Sequence, residues 1–439
     1  MHTITAPPPH PDAPPLVAIP GYAAGSGHAF RIVDGLASAF HFHAVDLLGT
    51  GLSGRPRFPA RSTEEAVAFF VESLEAWRAA AGLDRMLLMG HSMGGYLSTC
   101  YAARYPERVQ HLLLVSPVGV GRQPPDWRPP AALAGRWTLR GQLARAAIAA
   151  WDHDLTPGRV IRGLGPFGPG LVARYARGRF QQGLAFNDDE VARFESYFYH
   201  ILAARGSGEF ALRHILAPYA WPRSALEERC ADLSVPVTFF YGACVWDRAR
   251  HLLLRCVCLG RGRGGGAGGD GWRWERPLLR PWPSKLVGAP AWHPSSRPCT
   301  PTHAPCKPMH DPGDKDWMDP AGAKRMVAAL AQQRSPACES DLQILTTPSA
   351  GHYLFIDNPS EFMRQVAYAT SAYLSPEGRG ALLAAADAGP HAAAEPFHPP
   401  DELEEQVERK APGEGQAMGV GPKDAAVREG KSVAAEGSG

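Results

Sequence analysis

The sequence predicts an α/β fold in which a doubly wound, mostly parallel sheet carries a helical cap. Two observations predict the sheet: short apolar runs each end at a turn residue, and longer amphipathic segments alternate with them over residues 16–118. Strands that alternate with helices in this way pair in parallel through right-handed crossovers. A third observation predicts the cap, because helical segments rich in Trp, Arg and Tyr replace the strand pattern over 119–228.

The strands and helices of the predicted core follow from the sequence in order. Four apolar runs predict the strands of its first half: LVAIPGY, HFHAVDLLGTGLSG, MLLMG and VQHLLLVSP. A helix precedes the third run, with Ser62 and Glu65 as a capping box at its start and Gly82 at its end. The second half of the core covers 229–242 and 314–375. It contains the strands VPVTFFYG and DLQILTTPSAGH and the helices PAGAKRMVAALAQQ and PSEFMRQVAYATSAYL.

Three segments do not fit this pattern. Residues 1–15 are rich in Pro and residues 376–439 in Gly, Ala, Lys and Glu, so we expect both to be disordered. Residues 243–313 form an arginine-rich block that holds five of the eight cysteines. A structureless loop of this length is uncommon inside a compact sheet, so we interpret this insertion block as a low-complexity insertion or the product of a mis-spliced gene model.

Composition excludes several classes of function. The first residues lack a basic region followed by an apolar run, and no apolar run approaches the roughly 20 residues of a membrane span, so we expect an intracellular protein that is cytoplasmic or peripheral on a membrane. Eight cysteines without an export signal favour free thiols. The insertion block contains Cys256, Cys258, Cys299, Cys306 and His303. Their spacing does not match a zinc module, and the arginines show no aromatic interleaving, so we predict no metal, cofactor or nucleic-acid partner.

The stretch MLLMGHSMGGY places a serine where a predicted strand meets a predicted helix. Gly90, His91, Ser92, Met93 and Gly94 match the pattern G-x-S-x-G. Glycines suit a turn at which the serine backbone is strained and neighbouring segments approach closely. The pattern therefore predicts a nucleophile elbow, with Ser92 as the nucleophile and the backbone N–H of Met93 in the oxyanion hole.

A serine nucleophile needs a histidine base that a carboxylate orients. His352 follows the last predicted strand, in SAGHYLFIDNP, at the sheet edge where Ser92 is expected, and we predict it to be the base. The acid should follow VPVTFFYG, where the insertion block interrupts the chain. Removing the block would place Asp316 shortly after this strand, so we favour Asp316, with Asp319 and then Asp247 as alternatives.

The second oxyanion-hole donor is expected in the loop after the first core strand. The stretch IPGYAAG places Tyr22 in this loop, between Gly21 and Gly25. We therefore predict that the backbone N–H groups of Tyr22 and Met93 together form the oxyanion hole.

These motifs resemble the α/β-hydrolase fold family. The segments PGYAAGSGHAF, VDLLGTGLSGRP, LLMGHSMGGYLSTCYAARYPERVQHLLLVSPVG, YFYHILAARGSGEFAL and HYLFIDNPSEF resemble the subfamily of lysophosphatidic acid acyltransferases, phospholipases and a lipid-droplet coactivator of triglyceride lipase. The resemblance implies acyl-ester chemistry on glycerophospholipids at a membrane or droplet surface. It also implies that the early edge strands, before LVAIPGY, are missing here.

The family carries an H-x4-D element that is regarded as an acyltransferase signature. His352 and Asp357 match it. Asp357 also suits the N-cap of the helix that begins at Pro359, and we favour that interpretation.

The sequence predicts a serine hydrolase that acts on acyl esters of glycerophospholipids or acylglycerols through an acyl-enzyme, with lysophosphatidic acid acyltransferase activity as a further expectation. The expected partners are these lipids or lysophospholipids, acyl-CoA as a further acyl donor, and a lipid surface. The alternatives are a small-ester or peptidase-type hydrolase and a non-catalytic lipid-droplet regulator. Ser92 favours catalysis, because the animal coactivator branch of the resembled family has lost its nucleophile.

Aromatic residues of the cap are interspersed with arginines, which predicts contact with a membrane surface. These residues are Trp127, Trp137, Trp151, Phe167, Tyr197, Phe198, Tyr199 and Trp221.

Overall fold

A seven-stranded sheet forms the centre of the protein in the computed structural model, which describes residues 1–128, 138–181, 186–243, 318, 320–334 and 341–389. The strands are β1 (Thr3–Ala6), β2 (Pro15–Ile19), β3 (His41–Val45), β4 (Met86–His91), β5 (Val109–Val115), β6 (Val237–Gly242) and β7 (Leu342–Thr347). Their order in the sheet is β1-β3-β2-β4-β5-β6-β7. Every neighbouring pair is parallel except β1 and β3. The predicted doubly wound, mostly parallel sheet is confirmed.

Helices cover both faces of this sheet. In chain order they are α1 (Val33–Ala37), α2 (Thr63–Ala80), α3 (Met93–Arg104), α4 (Leu139–Asp152), α5 (Pro157–Gly163), α6 (Gly168–Ala176), α7 (Asp188–Ala203), α8 (Leu212–Ile215), α9 (Leu226–Arg229), α10 (Pro320–Gln333), α11 (Leu354–Asp357), α12 (Pro359–Ala369) and α13 (Pro376–Ala388). Alternate residues of β4 face opposite sides of the sheet. Leu88 belongs to the same buried cluster as Phe70 of α2, and Leu87 to the cluster of Val366 of α12. Burial of the sheet on both faces explains why its central strands β2, β4 and β5 are mostly apolar.

Helix α2 begins at the residue that the sequence indicates. The Ser62 hydroxyl accepts a hydrogen bond from the Glu65 N–H at 3.1 Å, as in a capping box. The Glu65 carboxylate, however, accepts from the Arg61 N–H at 2.8 Å. Gly82 follows the helix with a φ of +71°, a conformation that glycine adopts without strain. The predicted start and end of the helix are therefore right. The second hydrogen bond of the capping box, however, comes from Arg61, the residue before the N-cap, and not from Ser62.

Strand β1 corrects the prediction of disorder for residues 1–15. It pairs antiparallel with β3, from Thr3 opposite Val45 to Ala6 opposite Phe42, and thus supplies one edge strand before β2, where none was expected. The Thr3 hydroxyl also accepts a hydrogen bond from the Trp77 indole N–H at 3.0 Å. A short strand at the edge of a formed sheet gains backbone hydrogen bonds from its neighbour, so its own composition carries little signal.

Helix α13 corrects the first part of the prediction for the tail. Its residues Leu382 and Ala386 are fully buried, in the same cluster as Leu36 of α1. Ser375 caps the helix by accepting a hydrogen bond from the Gly378 N–H at 3.1 Å. Leu382 and Ala386, one turn apart, dock this helix onto the cluster, although its overall composition resembles that of a disordered tail. The insertion block after Ala243 and the tail from residue 390 lie outside the described residues.

The described part of the cap is helical, as expected, and carries α4 to α9 between β5 and β6. A π-helical turn, Arg177–Gln181, follows α6. The cap has an aromatic interior in which Phe180 stacks on Phe186 at 5.1 Å and Phe194 on Phe198 at 5.7 Å between ring centroids. Among the helices that the structure describes, none is both long and apolar enough to cross a bilayer.

Candidate active site

Ser92 occupies a strained turn between the end of β4 and the start of α3. Its φ of 54° and ψ of −117° lie in a region that non-glycine residues rarely adopt. Two backbone hydrogen bonds hold the turn: the Ser92 N–H donates to the Val115 carbonyl at 3.0 Å, and the Val118 N–H donates to the Ser92 carbonyl at 3.2 Å. Such strain persists only where the surrounding structure imposes it, and residues held in this way cluster at active sites.

The glycines of the motif are required by close packing around this turn. A Cβ atom on Gly90 would lie 2.6 Å from the Gly94 carbonyl oxygen and 2.6 Å from the Ser98 hydroxyl. A Cβ atom on Gly94 would overlap the carbonyl oxygens of Ile19 and Pro20 at the end of β2. Both approaches allow α3 to begin directly behind the serine, as the sequence pattern predicts.

The loop after β2 runs directly beside Ser92. A Cβ atom on Gly21 would lie only 2.9 Å from the Ser92 Cβ atom. The side chain of Tyr22 points into the cap, towards Thr156 and Glu209. Burial, and next to it the charge of Glu209, raise the pKa of this phenol, which keeps it neutral. Among the described residues, the backbone N–H groups of Tyr22 and Met93 have no hydrogen-bond acceptor.

His352 lies in the loop after β7 and is buried next to the nucleophile elbow. Its backbone carbonyl is 3.0 Å from Nε2 of His91, and the two imidazole rings are 4.7 Å apart between centroids. The structure thus brings together Ser92, His352 and the loop of Tyr22, residues that are far apart in the sequence.

His91, the second residue of the motif, supports the His352 loop. Its Nε2–H donates to the His352 carbonyl, while its Nδ1 is buried with no partner among the described residues. Burial, and next to it the neighbouring His352, lower the pKa of His91 well below the usual value, so this imidazole is neutral. Nearby, a small cavity of about 40 Å³ is lined by His91, His28 and Phe355 among others. Sequence reasoning treated His91 only as a motif position and missed this contact.

The candidate acids Asp247, Asp316 and Asp319 lie outside the described residues. The end of β6, however, shows where the acid loop starts. A Cβ atom on Gly242 would lie 2.6 Å from the Gly351 carbonyl oxygen, so β6 ends against the residue that precedes His352. The loop after β6, in which the acid is expected, therefore begins beside the loop that carries His352.

Asp357 is not an N-cap, and the favoured interpretation of this residue was wrong. The N-cap of α12 is Asn358, whose side-chain oxygen accepts from the Glu361 N–H at 3.2 Å. The Asp357 carboxylate instead accepts a hydrogen bond from the Gly351 N–H at 2.9 Å and forms an ion pair with Arg179 of the cap at 3.1 Å. Asp357 therefore holds the loop that carries His352.

An aromatic wall lies where the cap meets this loop. Tyr353 lies 5.5 Å from Phe180 and 6.2 Å from His28 between ring centroids, and Phe194 lies 5.0 Å from His28. His28 is buried, its Nδ1 accepts from the Gly25 N–H at 3.2 Å, and burial lowers its pKa to about 4. These rings form an apolar surface beside the His352 loop, with the guanidinium of Arg179 over Phe180 and Tyr353.

Comparison with known proteins agrees with this geometry. A family model described as the alpha/beta hydrolase fold matches residues 14–149. The chain is 34% identical over 377 residues to a probable 1-acylglycerol-3-phosphate O-acyltransferase of Oryza sativa subsp. japonica, an alignment that covers 84% of this chain and 70% of that protein. This chain belongs to the α/β-hydrolase fold family.

Two further relatives of this α/β hydrolase are informative. A 1-acylglycerol-3-phosphate O-acyltransferase of Arabidopsis thaliana is 33% identical over 366 residues, covering 83% of this chain and 68% of that protein. A (lyso)-N-acylphosphatidylethanolamine lipase of Mus musculus is 38% identical over 250 residues, covering 56% of this chain and 69% of that protein. The resemblance inferred from the sequence motifs is confirmed.

Proposed function

We propose that this α/β hydrolase is a serine hydrolase that cleaves acyl esters of glycerophospholipids or acylglycerols through an acyl-enzyme on Ser92. The observation that carries the proposal is the strained turn of Ser92, with the His352 loop hydrogen-bonded to the adjacent His91. This constellation supports acyl transfer through a serine nucleophile, in which the histidine acts first as a base and then as an acid.

In this mechanism the Ser92 Oγ attacks the ester carbonyl carbon while His352 accepts the hydroxyl proton. The negative charge that develops on the carbonyl oxygen is stabilised by the backbone N–H groups of Tyr22 and Met93, which have no other acceptor among the described residues. His352 then protonates the leaving alkoxide. Water, or the hydroxyl of a lysophospholipid, attacks the acyl-enzyme and releases Ser92. A carboxylate of the loop after β6 orients His352, and we favour Asp316, with Asp319 and Asp247 as alternatives.

The relatives and the aromatic wall support this substrate class. The plant relatives are named for 1-acylglycerol-3-phosphate and the mouse relative for (lyso)-N-acylphosphatidylethanolamine, which are both glycerophospholipids. The wall of Phe180, Phe194 and Tyr353 next to the His352 loop suits an acyl chain. Acyl-CoA is the alternative acyl donor for the transfer reaction.

A lipid surface is the proposed partner of the cap helices α5 and α6. Phe167 between them is 78% exposed, and Val160 of α5 and Leu164 at the C-cap of this helix are also exposed. Residues 155–187 contain arginines but no Asp or Glu. The exposed Arg159 and Arg174 have no ion-pair partner among the described residues. Exposed apolar groups flanked by free cations are typical of surfaces that bind anionic lipids.

This surface is narrower than the sequence predicts. Trp221 and Phe198 are buried, so the prediction of surface contact is wrong for these two residues. Tyr197 is half-buried and accepts a hydrogen bond from the Gly27 N–H at 3.1 Å. Trp137 lies outside the described residues. Of the aromatic residues named from the sequence, Phe167 has the exposure that lipid contact requires.

The test is labelling with a fluorophosphonate probe, followed by lipid analysis with wild type, Ser92→Ala and His352→Ala. We expect both variants to lose labelling and phospholipid turnover, and the double variant to lose no more than either single one, because triad members act as a unit. Ser73→Ala is the matched control, because the Ser73 hydroxyl donates a hydrogen bond to the Phe70 carbonyl within α2. Turnover in Ser92→Ala at the wild-type rate would contradict the proposal. Labelling with turnover of small esters only would favour a small-ester hydrolase, and an unlabelled wild type that still binds droplets would favour a regulator.

A further inference from the structure

The π-helical turn Arg177–Gln181 of the cap reaches the loop that carries His352. Arg179 Nη2 lies 3.1 Å from Asp357 Oδ2, and the same carboxylate oxygen accepts a hydrogen bond from the Gly351 N–H at 2.9 Å. Two consecutive polar contacts therefore connect the cap to the residue immediately before His352.

The same arginine also contacts the residue immediately after His352. Its guanidinium carbon lies 5.4 Å from the centroid of the Tyr353 ring and 5.1 Å from that of Phe180. A guanidinium at this distance over an aromatic face is attracted to it. Arg179 thus holds the chain on both sides of His352, through Asp357 and through Tyr353.

This ion pair is well shielded from water. The side chains of Arg179 and Asp357 are 11% and 13% exposed. Removing one member of such a pair leaves the other charge buried without compensation, so the remaining group and its backbone must move. The Gly351 N–H bond to Asp357 depends on that carboxylate staying in place.

A neighbouring pair provides the contrast. Arg177, two residues earlier on the same turn, forms an ion pair with Glu195 of α7 at 2.7 Å, and its side chain is 61% exposed. This pair connects two elements of the cap and does not contact the His352 loop. Comparing variants of the two arginines therefore distinguishes an effect on the cap from an effect on the His352 loop.

We propose that Arg179 is a positioning residue for His352: the cap, through Arg179 and Asp357, fixes the loop that presents the base to Ser92. This inference rests on the proposed function. It gives Asp357 of the H-x4-D element a structural partner in the cap, Arg179. The position of His352 then depends on whether the cap turn packs against its loop.

The test compares full-length Arg179→Gln, Asp357→Asn, the double variant and Arg179→Lys, with Arg177→Gln as the matched control. The assay uses a soluble short-chain ester without lipid. We expect Arg179→Gln to lower kcat between ~10-fold and ~100-fold with little change in KM, because small displacements of a reacting group have effects of this size. Asp357→Asn should lower kcat similarly, and the double variant should lose no more than the larger single loss. Arg179→Lys should recover part of kcat, and Arg177→Gln should match wild type.

A kcat of Arg179→Gln within twofold of wild type would overturn the inference, as would losses that multiply in the double variant. An equal loss in Arg177→Gln would show a general effect on the cap and would also overturn it. Asp357→Asn is nearly isosteric and tests the same contact from the other end if Arg179→Gln does not fold.

Hydrogen exchange separates a failure of this inference from a failure of the proposed function. We expect a peptide spanning 350–357 to exchange faster in Arg179→Gln than in wild type and in Arg177→Gln. If wild type hydrolyses no ester and takes up no fluorophosphonate, the proposed function fails, and this exchange still decides whether Arg179 holds the loop. Unchanged exchange in an active enzyme would overturn the inference alone.

Discussion

Gly21 provides the most direct test of how closely the proposed oxyanion loop must approach Ser92. In Gly21→Ala the new Cβ atom would lie 2.9 Å from the Ser92 Cβ atom and 3.0 Å from Nδ1 of His91. Carbon atoms in favourable contact are about 3.5 to 4 Å apart, so the loop must move away from the serine by roughly 0.6 to 1.1 Å. The surrounding atoms belong to the buried elbow and to Gly94 of α3, which packs against the carbonyls of Ile19 and Pro20, so the elbow has little room to yield.

We expect this displacement to affect the position of the Tyr22 N–H donor, and with it kcat, more than the free energy of unfolding. Overpacking of this kind costs about 1 to 3 kcal/mol of folding free energy. Removing one oxyanion-hole donor lowers kcat by about 10²- to 10³-fold, so a displaced donor should lower kcat by about 10- to 100-fold. Labelling by a fluorophosphonate should slow by a similar factor, because its phosphoryl oxygen uses the same donors.

The assay measures kcat, the labelling rate and the melting temperature side by side in wild type, Gly21→Ala and Gly54→Ala. Gly54 is the matched control, because a Cβ atom there would meet no atom within 4 Å. We expect Gly54→Ala to equal wild type in all three measurements. A folded Gly21→Ala protein with wild-type kcat would refute the assignment of the Tyr22 loop to the oxyanion hole.

Three further predictions concern the acid loop, the buried histidine and the lipid surface. Joining Gly242 to Asp314 should preserve or improve melting temperature and ester turnover, because β6 already ends against Gly351. Asp316→Asn should then inactivate the shortened protein. A deletion protein that folds but is inactive would indicate that the acid lies within the removed residues. Burial lowers the pKa of His28 to about 4 in the folded state, so on acidification the unfolded state binds a proton first. The free energy of unfolding should therefore fall by about 3 kcal/mol as the pH decreases from 6.5 to 4. Urea titrations should show this slope reduced in His28→Gln, and an equal slope would contradict the burial argument. Phe167→Ser should weaken flotation with phosphatidic acid vesicles about 10-fold or more through lost apolar burial, whereas the exposed Tyr368→Ser should not; equal binding by all three proteins would exclude this surface.

The sequence by itself determined the features whose cause is local. The apolar run of β4, the turn at Ser92 and the start of α3 are adjacent in the chain, and Gly90 is required by Gly94 and Ser98 of that same stretch. The capping serine of α2 and the order of strand, serine, strand and histidine also followed from short stretches. The fold class, the family and the placement of His352 beside the elbow could therefore be derived from the residues and their order.

Only the tertiary structure decided the features whose partner is distant in the chain. Strand β1 exists because β3 supplies its hydrogen bonds, and α13 because Leu382 and Ala386 fit an existing cluster. Asp357 and Asn358 are neighbours that both suit an N-cap, and the sequence could not choose between them. The choice follows from contacts of Asp357 with Gly351 and with Arg179, which is 178 residues away. An ion pair across such a separation leaves no periodicity or spacing in the sequence, because its two ends meet only after the cap has packed onto the sheet.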